Sequence, residues 1–459
     1  MTDPPGSNLH CNNYSALSIN VTFFMIILYA AIKISHGANV KPQTEKYQPD
    51  YRYYHNLTRA IADATDLIKR YGSFLFRDDE YQSRSGKSQV NFRVFNSSQE
   101  PNKLRSRILL AYGEHAREFF PIESMFYFMR NLTAGLDTEQ EGRPGRSFSQ
   151  WVLNNFDIYV IGLANPDGKD FIEKSKNYCW RGTGTGVDIN RNFDWNYGGN
   201  GSSKDPQDDE YRGPYAFSEP ETNVFQYLAE TVKFDAFVSF HSGVRHIYIP
   251  YADSKSKQLH RIPENQHHMV NLAKRMVNAS PSRQFEMGMA YELNGYVADG
   301  TSFDYMAGVA KVPFSFAIEM WGAKDHVGSS CFDEFNPPSE ELEEELALVH
   351  PLYVELLLYL FQWKSEQNKV EVSENRNAEF ILHRTKKDYE TDNKQEEEML
   401  ESTPQHPTSF SESHLMYALF SMVAALCVVL GARHVCFLMR KKRIVSLKSL
   451  SSTFSLFKS

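Results

Sequence analysis

Short apolar runs alternate with amphipathic segments through most of the chain. Residues 107–112, 157–162 and 236–240 are β-rich runs of strand length, whereas 121–132 and 222–232 space their apolar residues as helices do. Strands that alternate with helices are typical of α/β domains, in which helices pack on the faces of a sheet. The pattern therefore predicts an α/β fold with a mixed, mostly parallel sheet flanked by helices.

One of these helices carries a start signal of its own. Ser218 lies three residues before Glu221, and Pro220 falls in the first turn. This spacing predicts a capping box, in which the serine hydroxyl and the glutamate carboxylate accept hydrogen bonds from free N–H groups at the start of the helix.

A longer apolar stretch lies near the start of the chain. Residues 21–32 have the length of the apolar core of a signal peptide, and the Ser-His-Gly segment at 35–37 supplies small residues for cleavage. No Lys or Arg precedes the stretch and Lys33 follows it, so an uncleaved anchor is the alternative. Residues 1–37 are therefore predicted to be a signal peptide or a signal anchor.

A second apolar stretch, at 414–439, is long enough for one transmembrane helix; a buried core helix is the alternative. The basic residues that follow it favour the cytosolic side of a membrane. They predict a basic, Ser-rich cytosolic tail at 440–459 and place everything upstream outside the cell or in a lumen. Residues 365–413 are rich in Glu, Lys, Asn and Ser, which predicts a charged disordered stalk, with a small domain as the alternative.

Charge and cysteine content narrow the partners and the compartment. A formal net charge of −8 gives no broad cationic surface, so we do not expect nucleic acid as a partner. Of the five cysteines, Cys11 falls in the predicted leader at 1–37 and Cys427 and Cys436 fall in the predicted transmembrane helix, which leaves Cys179 and Cys331. This pair predicts one disulfide, although two buried free thiols would give the same pattern. Sequences that permit glycosylation occur at Asn56, Asn96, Asn131, Asn200 and Asn278.

Candidate metal ligands follow two of the predicted strands. His115 and Glu118 are three residues apart after the apolar run 108–111, and His241 directly ends the run 238–240. Catalytic zinc takes three protein ligands and keeps one position for water, so the three side chains predict a zinc site. The alternative for His115 and Glu118 alone is an ordinary polar turn, because this short motif is common by chance.

Other polar residues fall where the edge of a sheet could deliver them. Asp188, Asn190 and Arg191 occupy one predicted loop, Arg181 lies close before it, and Glu319 ends an apolar strand. Each has a simpler explanation when it is taken alone, such as a turn cap or a surface ion pair.

Taken together, the motifs resemble those of one enzyme family. The chain resembles the zinc metallocarboxypeptidases of the carboxypeptidase A type over roughly residues 47–363. The segments that carry this resemblance, in chain order, are GEHARE at 113–118, ANPDG at 164–168, WRGT at 180–183, GVDINRNFDW at 186–195, GPYAFSEPET at 213–222, SFHSG at 239–243 and FSFAIE at 314–319.

The resemblance implies roles for individual residues. It implies one Zn²⁺ per chain held by His115, Glu118 and His241, with Asp188 fixing a ligand imidazole. Glu319 is implied as the general base, and Arg181 as the group that polarises the scissile carbonyl. The implied substrate-binding residues are Arg117, Asn190, Arg191, Ser242, Tyr296 and Phe303.

The sequence allows two preferences for the C-terminal residue of the substrate. Phe303 is similar in position to the residue at the floor of the family's side-chain pocket, which favours an apolar or aromatic C-terminal residue. The spacing between Asp304 and Glu319 is about one residue longer than in the family. If Asp304 faced the pocket instead, basic C-terminal residues would be preferred.

The resemblance predicts a carboxypeptidase with a catalytic domain at 38–364, acting on the C-termini of peptides or proteins, and the predicted transmembrane helix would anchor it in a membrane. The alternatives are a catalytically silent surface binding protein with the same fold and a related peptidase acting on isopeptide or cell-wall linkages. About ten residues separate the predicted cleavage point from the first domain helix, so we expect no inhibitory pro-domain.

Overall fold

The structure is a computed structural model that describes residues 48–77, 81–96, 105–136, 146–281, 284–322 and 331–369. All of these residues belong to one unit, Met1–Ser373. The predicted leader at 1–37, the transmembrane helix at 414–439 and the cytosolic tail at 440–459 lie outside the described residues and stay predictions.

Eight strands form one sheet in the order β1-β2-β4-β3-β5-β8-β6-β7. The pairs β3/β4, β3/β5, β5/β8 and β6/β7 are parallel, and β1/β2, β2/β4 and β6/β8 are antiparallel. The predicted mixed, mostly parallel sheet is therefore confirmed. The strands are β1 (Leu75–Arg77), β2 (Asn91–Val94), β3 (Ser106–Tyr112), β4 (Phe156–Ile161), β5 (Ala236–His241), β6 (Arg245–Ile249), β7 (Glu286–Met289) and β8 (Phe314–Met320).

The three β-rich runs predicted as strands are found as the central strands β3, β4 and β5, and the apolar strand predicted at Glu319 is found as β8. Every residue of β5 is buried, and β3 and β4 are buried at all but one position each. Helices cover both faces of such strands, which is why their sequences are nearly continuous apolar runs. The strands that were not predicted from sequence include two short ones, β1 at one edge of the sheet and its neighbour β2.

Helices pack on both faces of the sheet. The predicted helices at 121–132 and 222–232 are found at Phe120–Ala134 and Asn223–Thr231. In chain order the helices are α1 (Leu57–Arg70), α2 (Phe120–Ala134), α3 (Arg146–Asn155), α4 (Pro166–Ser175), α5 (Asn223–Thr231), α6 (Ser254–Leu259), α7 (Gln266–Ala279), α8 (Ala290–Leu293), α9 (Ser302–Gly308), α10 (Cys331–Phe335) and α11 (Leu342–Lys369).

The predicted capping box before α5 does not form. A 3₁₀ turn, Pro220–Thr222, precedes the helix, and no side chain caps either element. The Glu221 carboxylate instead accepts a hydrogen bond from the backbone N–H of Arg84, 2.9 Å away. A contact between distant parts of the chain has therefore displaced the local one that the sequence predicted.

Helix α11 is the one described helix long and apolar enough to cross a membrane by length and composition. Its apolar residues, including Leu346, Leu356 and Leu360, are buried in the core of the domain, so its apolarity serves packing. It is also not the segment predicted as the transmembrane helix. It continues through Lys369, so the first five residues of the predicted stalk are helical, which suits their Glu, Gln and Lys content.

The parallel strands β3, β5 and β8 all end at the same edge of the sheet. The register pairs Tyr112 with Phe240 and His241 with Glu319. Side chains that follow these strands therefore meet at this edge, where open α/β sheets bind ligands.

Candidate active site

A tight turn after β3 delivers the first two candidate ligands. Gly113 has φ +67°, and a Cβ at this position would lie 3.1 Å from Leu163 and 3.2 Å from Ile122. Only glycine combines this backbone conformation with so little space. The turn places His115 and Glu118 immediately before α2.

The start of α2 is fixed by a residue from much later in the chain. The buried Asn336 accepts hydrogen bonds at its Oδ1 from the N–H groups of Phe119 and Phe120, at 2.7 and 3.0 Å. Its Nδ2 donates to the carbonyl of Arg117 at 2.9 Å. Asn336 thus caps the helix that follows Glu118 and holds the chain on both sides of that residue.

Three side chains converge at the edge of the sheet. His115 Nδ1 lies 2.7 Å from one carboxylate oxygen of Glu118, and His241 Nδ1 lies 3.1 Å from the other. The two Nδ1 atoms are 3.2 Å apart. All three residues are buried, and one atom from each lies within 4.8 Å of the others.

These residues fit a zinc ion. Zinc–nitrogen bonds of about 2.0–2.1 Å in a tetrahedral site put two ligand nitrogens about 3.3 Å apart, which matches the observed separation. Burial lowers the pKa of His241, but Glu118 and two further carboxylates outweigh burial and raise this pKa to about 9. The surroundings therefore favour positive charge at the point where the three groups meet.

Asp188 lies beside Nε2 of the first ligand, His115. Its carboxylate lies 3.2 Å from His115 Nε2 and accepts a hydrogen bond from Arg181 Nε at 2.8 Å. Burial raises the pKa of Asp188, but Arg181 and His115 outweigh burial and hold it well below the usual aspartate value. An ionised carboxylate at Nε2 leaves Nδ1 free to bind metal.

A second carboxylate, that of Glu114, lies near Nε2 of the other ligand, His241, and was not predicted from sequence. Ser239 Oγ lies 2.7 Å from His241 Nε2 and 2.6 Å from the carboxylate of Glu114. Ser302 Oγ donates to the same carboxylate at 3.0 Å. In the sequence, the signal for Glu114 was a charged residue directly before the candidate ligand His115. Its contact with Ser239 forms only in the folded chain.

Arg181, Asn190 and Arg191 lie together beside the three candidate ligands. Arg181 Nη1 is 3.9 Å from Glu118. Asn190 accepts a hydrogen bond from the N–H of Ser302 at 2.8 Å. The Arg191 guanidinium donates to the carbonyl groups of Gly201 and Asn190, each at 2.9 Å.

An acidic loop supplies further partners for two of the arginines. Arg191 Nη2 donates to Glu210 at 2.9 Å, and Arg117 Nη1 donates to Asp209 at 3.0 Å. The two acidic side chains are exposed, with 41% and 63% of their surface accessible. Neither residue was predicted from sequence, because an acidic run such as 208–210 carries no specific signal. Only the folded chain brings it against these arginines.

Glu319 projects from β8 opposite His241. Its Oε2 is buried and has no hydrogen-bond partner among the described residues. Burial and the Glu118 carboxylate raise the pKa of Glu319 to about 7. A carboxylate with such a pKa can take up and release a proton near neutral pH.

The other predicted substrate-binding residues differ in exposure. Ser242 is buried, and its N–H donates to Glu118 at 3.2 Å. Tyr296 is 59% exposed, whereas Phe303 is buried in an apolar cluster with Ala298 and Ala317.

The neighbouring Asp304 does not act as an open acidic group. Its carboxylate accepts hydrogen bonds from the N–H groups of Ala252 and Asp253, at 2.9 and 3.2 Å. These backbone donors occupy Asp304 and argue against its binding a basic substrate side chain.

Cys179 and Cys331 form a disulfide, with their Cα atoms 5.0 Å apart. The carbonyl of Cys179 accepts a hydrogen bond from Arg117 at 2.9 Å. The guanidinium of Arg117 also lies 4.4 Å from the ring of Phe335, which belongs to the helix that begins at Cys331. The disulfide therefore joins the two segments that position Arg117.

A family model described as zinc carboxypeptidase, Peptidase_M14, matches residues 61–347, more than half of the chain. The chain belongs to this family. Within it, His115, Glu118 and His241 form the candidate metal-binding triad for zinc.

Individual relatives agree with this assignment. Mouse carboxypeptidase A2 is 29% identical over 227 residues, which cover 46% of this chain and 50% of that protein. Zinc carboxypeptidase A 1 of Anopheles gambiae is 25% identical over 283 residues, covering 59% of this chain and 60% of that protein. The chain thus spans about half of the curated relatives it matches.

Among solved structures, the carboxypeptidase A of Helicoverpa armigera is similar with a TM-score of 0.58. The match is 20% identical and covers 74% of this chain and 80% of that one. At this identity the comparison shows a common fold.

Proposed function

We propose that this chain is a zinc-dependent carboxypeptidase that removes single residues from the C-termini of peptides or proteins. The observation that carries the proposal is the convergence of two imidazole nitrogens and a carboxylate, with Glu319 beside them. Arg191 and Asn190, which we call the arginine clamp, lie nearby. His115, Glu118 and His241 would hold one zinc ion. When bound there, zinc would supply Lewis acidity towards water and towards a carbonyl oxygen.

The surrounding residues divide the remaining chemistry. Glu319 takes a proton from the attacking water and passes it to the departing amine. Arg181, held by Asp188, donates a hydrogen bond to the carbonyl oxygen as negative charge develops there.

The arginine clamp would give the enzyme its specificity for chain ends. Arg191 and Asn190 bind the terminal carboxylate of the substrate, for which a planar guanidinium is well suited. Arg117 and Ser242 line the path of the substrate, and the exposed Tyr296 closes over its end. Only a free chain end offers the carboxylate that this clamp requires.

We further propose a preference for apolar or aromatic C-terminal residues. The position of Phe303 in an apolar cluster supports it, as does the occupation of Asp304 by backbone donors. A substrate ammonium or guanidinium would find no free carboxylate at Asp304.

Both proposals can be tested by incubating the full-length protein with blocked dipeptides that differ in the final residue. Each dipeptide is supplied once as the free acid and once as the amide. We expect release of the final residue from free acids, fastest for Phe, Tyr or Leu, loss of release with a zinc chelator, and recovery when zinc is restored. Release that is insensitive to the chelator, or equal for amides, would contradict the assignment. Zinc and peptide binding without turnover would instead identify a silent binding protein, and faster release of Lys or Arg would overturn the preference alone.

We also propose that the protein is a single-pass membrane protein with its catalytic domain outside the cell or in a lumen. The apolar stretch at 414–439 with its basic flank supports this topology. The disulfide is consistent with it, because disulfides persist in oxidising compartments. At the cell surface, protease added to intact cells should remove the domain while a tag on the C-terminal tail stays protected. In vesicles from an internal compartment, protease should remove the tag first and reach the domain only after the vesicles are opened. Loss of the tag from intact cells would reverse the orientation.

A further inference from the structure

Each of the two candidate histidine ligands has a buried carboxylate behind its distal nitrogen, but the connections differ. Asp188 reaches His115 directly, at 3.2 Å. Glu114 lies 4.0 Å from His241 Nε2, too far for a hydrogen bond, and the hydroxyl of Ser239 fills the gap.

The hydrogen-bond directions of this second connection are determined by chemistry. A histidine that binds metal through Nδ1 carries its proton on Nε2 and must donate it. Ser239 Oγ, 2.7 Å away, is the acceptor. The hydroxyl has one proton of its own, which it donates to the Glu114 carboxylate at 2.6 Å. A donor chain thus runs from His241 through Ser239 to Glu114.

The other polar neighbour of Nε2 cannot replace Ser239. Asn190 Nδ2 lies 3.4 Å from Nε2, at the limit of a hydrogen bond, and both atoms are donors when Nε2 is protonated. The Asn190 side chain is also engaged at its oxygen by Ser302. Ser239 is therefore the acceptor that sets the tautomer of His241.

The charge of Glu114 also needs an explanation. Its side chain is fully buried, and none of its hydrogen bonds among the described residues comes from a cation. A buried carboxylate without a compensating positive charge is costly. A divalent ion held by His241 would supply that charge on the far side of the imidazole.

We propose that Glu114 is a positioning residue of the metal centre, which acts through Ser239 to hold His241 with Nδ1 directed at the ion. The proposal rests on the zinc-dependent function proposed above. Glu114 and Asp188 would then be matched supports, one for each histidine ligand.

The test is zinc affinity, measured on full-length protein by competition with a fluorescent zinc chelator. Glu114→Gln keeps the shape and the hydroxyl contacts but removes the charge, and Ser239→Ala breaks the chain. We expect each variant to bind zinc about 10- to 100-fold more weakly, as is usual when a partner of a ligand is lost. Because both act through one chain, the double variant should lose less than the product of the two effects.

Two controls separate positioning from general stability and from chemistry. Zinc-free Glu114→Gln should melt no lower than zinc-free wild type, because the uncompensated charge is gone, whereas the rise in melting temperature on adding zinc should be smaller in both variants. Glu319→Gln should keep wild-type zinc affinity, since Glu319 is not a ligand. Excess zinc should restore activity in Glu114→Gln and not in Glu319→Gln.

The outcomes are distinguishable. Unchanged zinc affinity in both Glu114→Gln and Ser239→Ala would overturn the role of Glu114 and leave the proposed function intact. A variant that binds zinc normally but prefers a different C-terminal residue would show that Glu114 contacts substrate, which also overturns the proposal. Wild-type protein that binds no zinc would remove the proposed function and this inference together. If Glu114→Gln fails to fold, Ser239→Ala alone decides.

Discussion

The two ends of the candidate site are built differently. At the metal end, His115, Glu118 and His241 are buried, and each is held by other buried groups. At the substrate end, Arg117 and Arg191 are paired with acidic residues of an exposed loop. The metal end therefore depends on fixed geometry, whereas the substrate end has contacts that the carboxylate of an arriving substrate can replace.

The largest effect is expected from a change at the metal end. Glu319→Gln removes the proton acceptor while it keeps the shape of the side chain. We expect kcat to fall by about 10²- to 10⁴-fold, the usual contribution of a general base. Steady-state kinetics at saturating zinc would measure it. A fall of less than tenfold would mean that another group accepts the proton.

A smaller loss is expected from the arginine clamp. Arg191→Gln removes the charge that would bind the terminal carboxylate, and a hydrogen bond to a charged group contributes about 1.5–3 kcal/mol, or roughly 10- to 100-fold in kcat/KM. The ratio of rates for free acids and amides should fall by the same factor. If that ratio is unchanged, another residue recognises the chain end.

The exposed loop should have a weaker effect of opposite sign. Glu210→Gln removes a carboxylate that competes with the substrate for Arg191. Since such partly exposed ion pairs contribute about 0.2–1 kcal/mol, KM should fall by a factor of about 1.4 to 5. Asp205→Asn in the same loop is the matched control, because Asp205 accepts its hydrogen bond from Gln207. An equal change in both variants, or a rise in KM for Glu210→Gln, would argue against competition.

A buried lysine beneath the metal end should affect stability rather than activity. Lys169 is buried, with its Nζ 2.7 Å from the centre of the Phe119 ring. Burial lowers the pKa of Lys169 to about 7, against the opposing effect of Glu173 and Glu123. Between pH 7 and about 10 the unfolded chain then binds a proton that the folded chain lacks, so stability gains with rising pH.

The Lys169→Met variant isolates this contribution. The free energy of unfolding of wild type minus that of the variant should increase from pH 7 to pH 9, by at most about 1.4 kcal/mol per pH unit. Urea unfolding of the zinc-free proteins at pH 7, 8 and 9 would measure the difference. A constant or decreasing difference would show that Lys169 stays charged in the folded protein.

The features that could be predicted from sequence are those for which one signal dominates. The central strands were identified because burial on both faces makes them apolar runs, and His115, Glu118 and His241 were found because they follow such strands. The 3₁₀ turn before α5 was missed because Arg84, more than 130 residues earlier, engages Glu221. Glu114 and Glu210 were missed for the same reason: their partners are distant in sequence, and only the folded chain brings them together.

Asn336 has a consequence for the order of assembly during synthesis. The backbone on either side of Glu118 acquires its amide cap only when a residue more than 200 positions later is in place. A nascent chain on the ribosome therefore cannot fix the backbone around Glu118 until the segment around Asn336 has left the exit tunnel. Ion loading during biosynthesis should accordingly be a late event, after translation of nearly the whole domain.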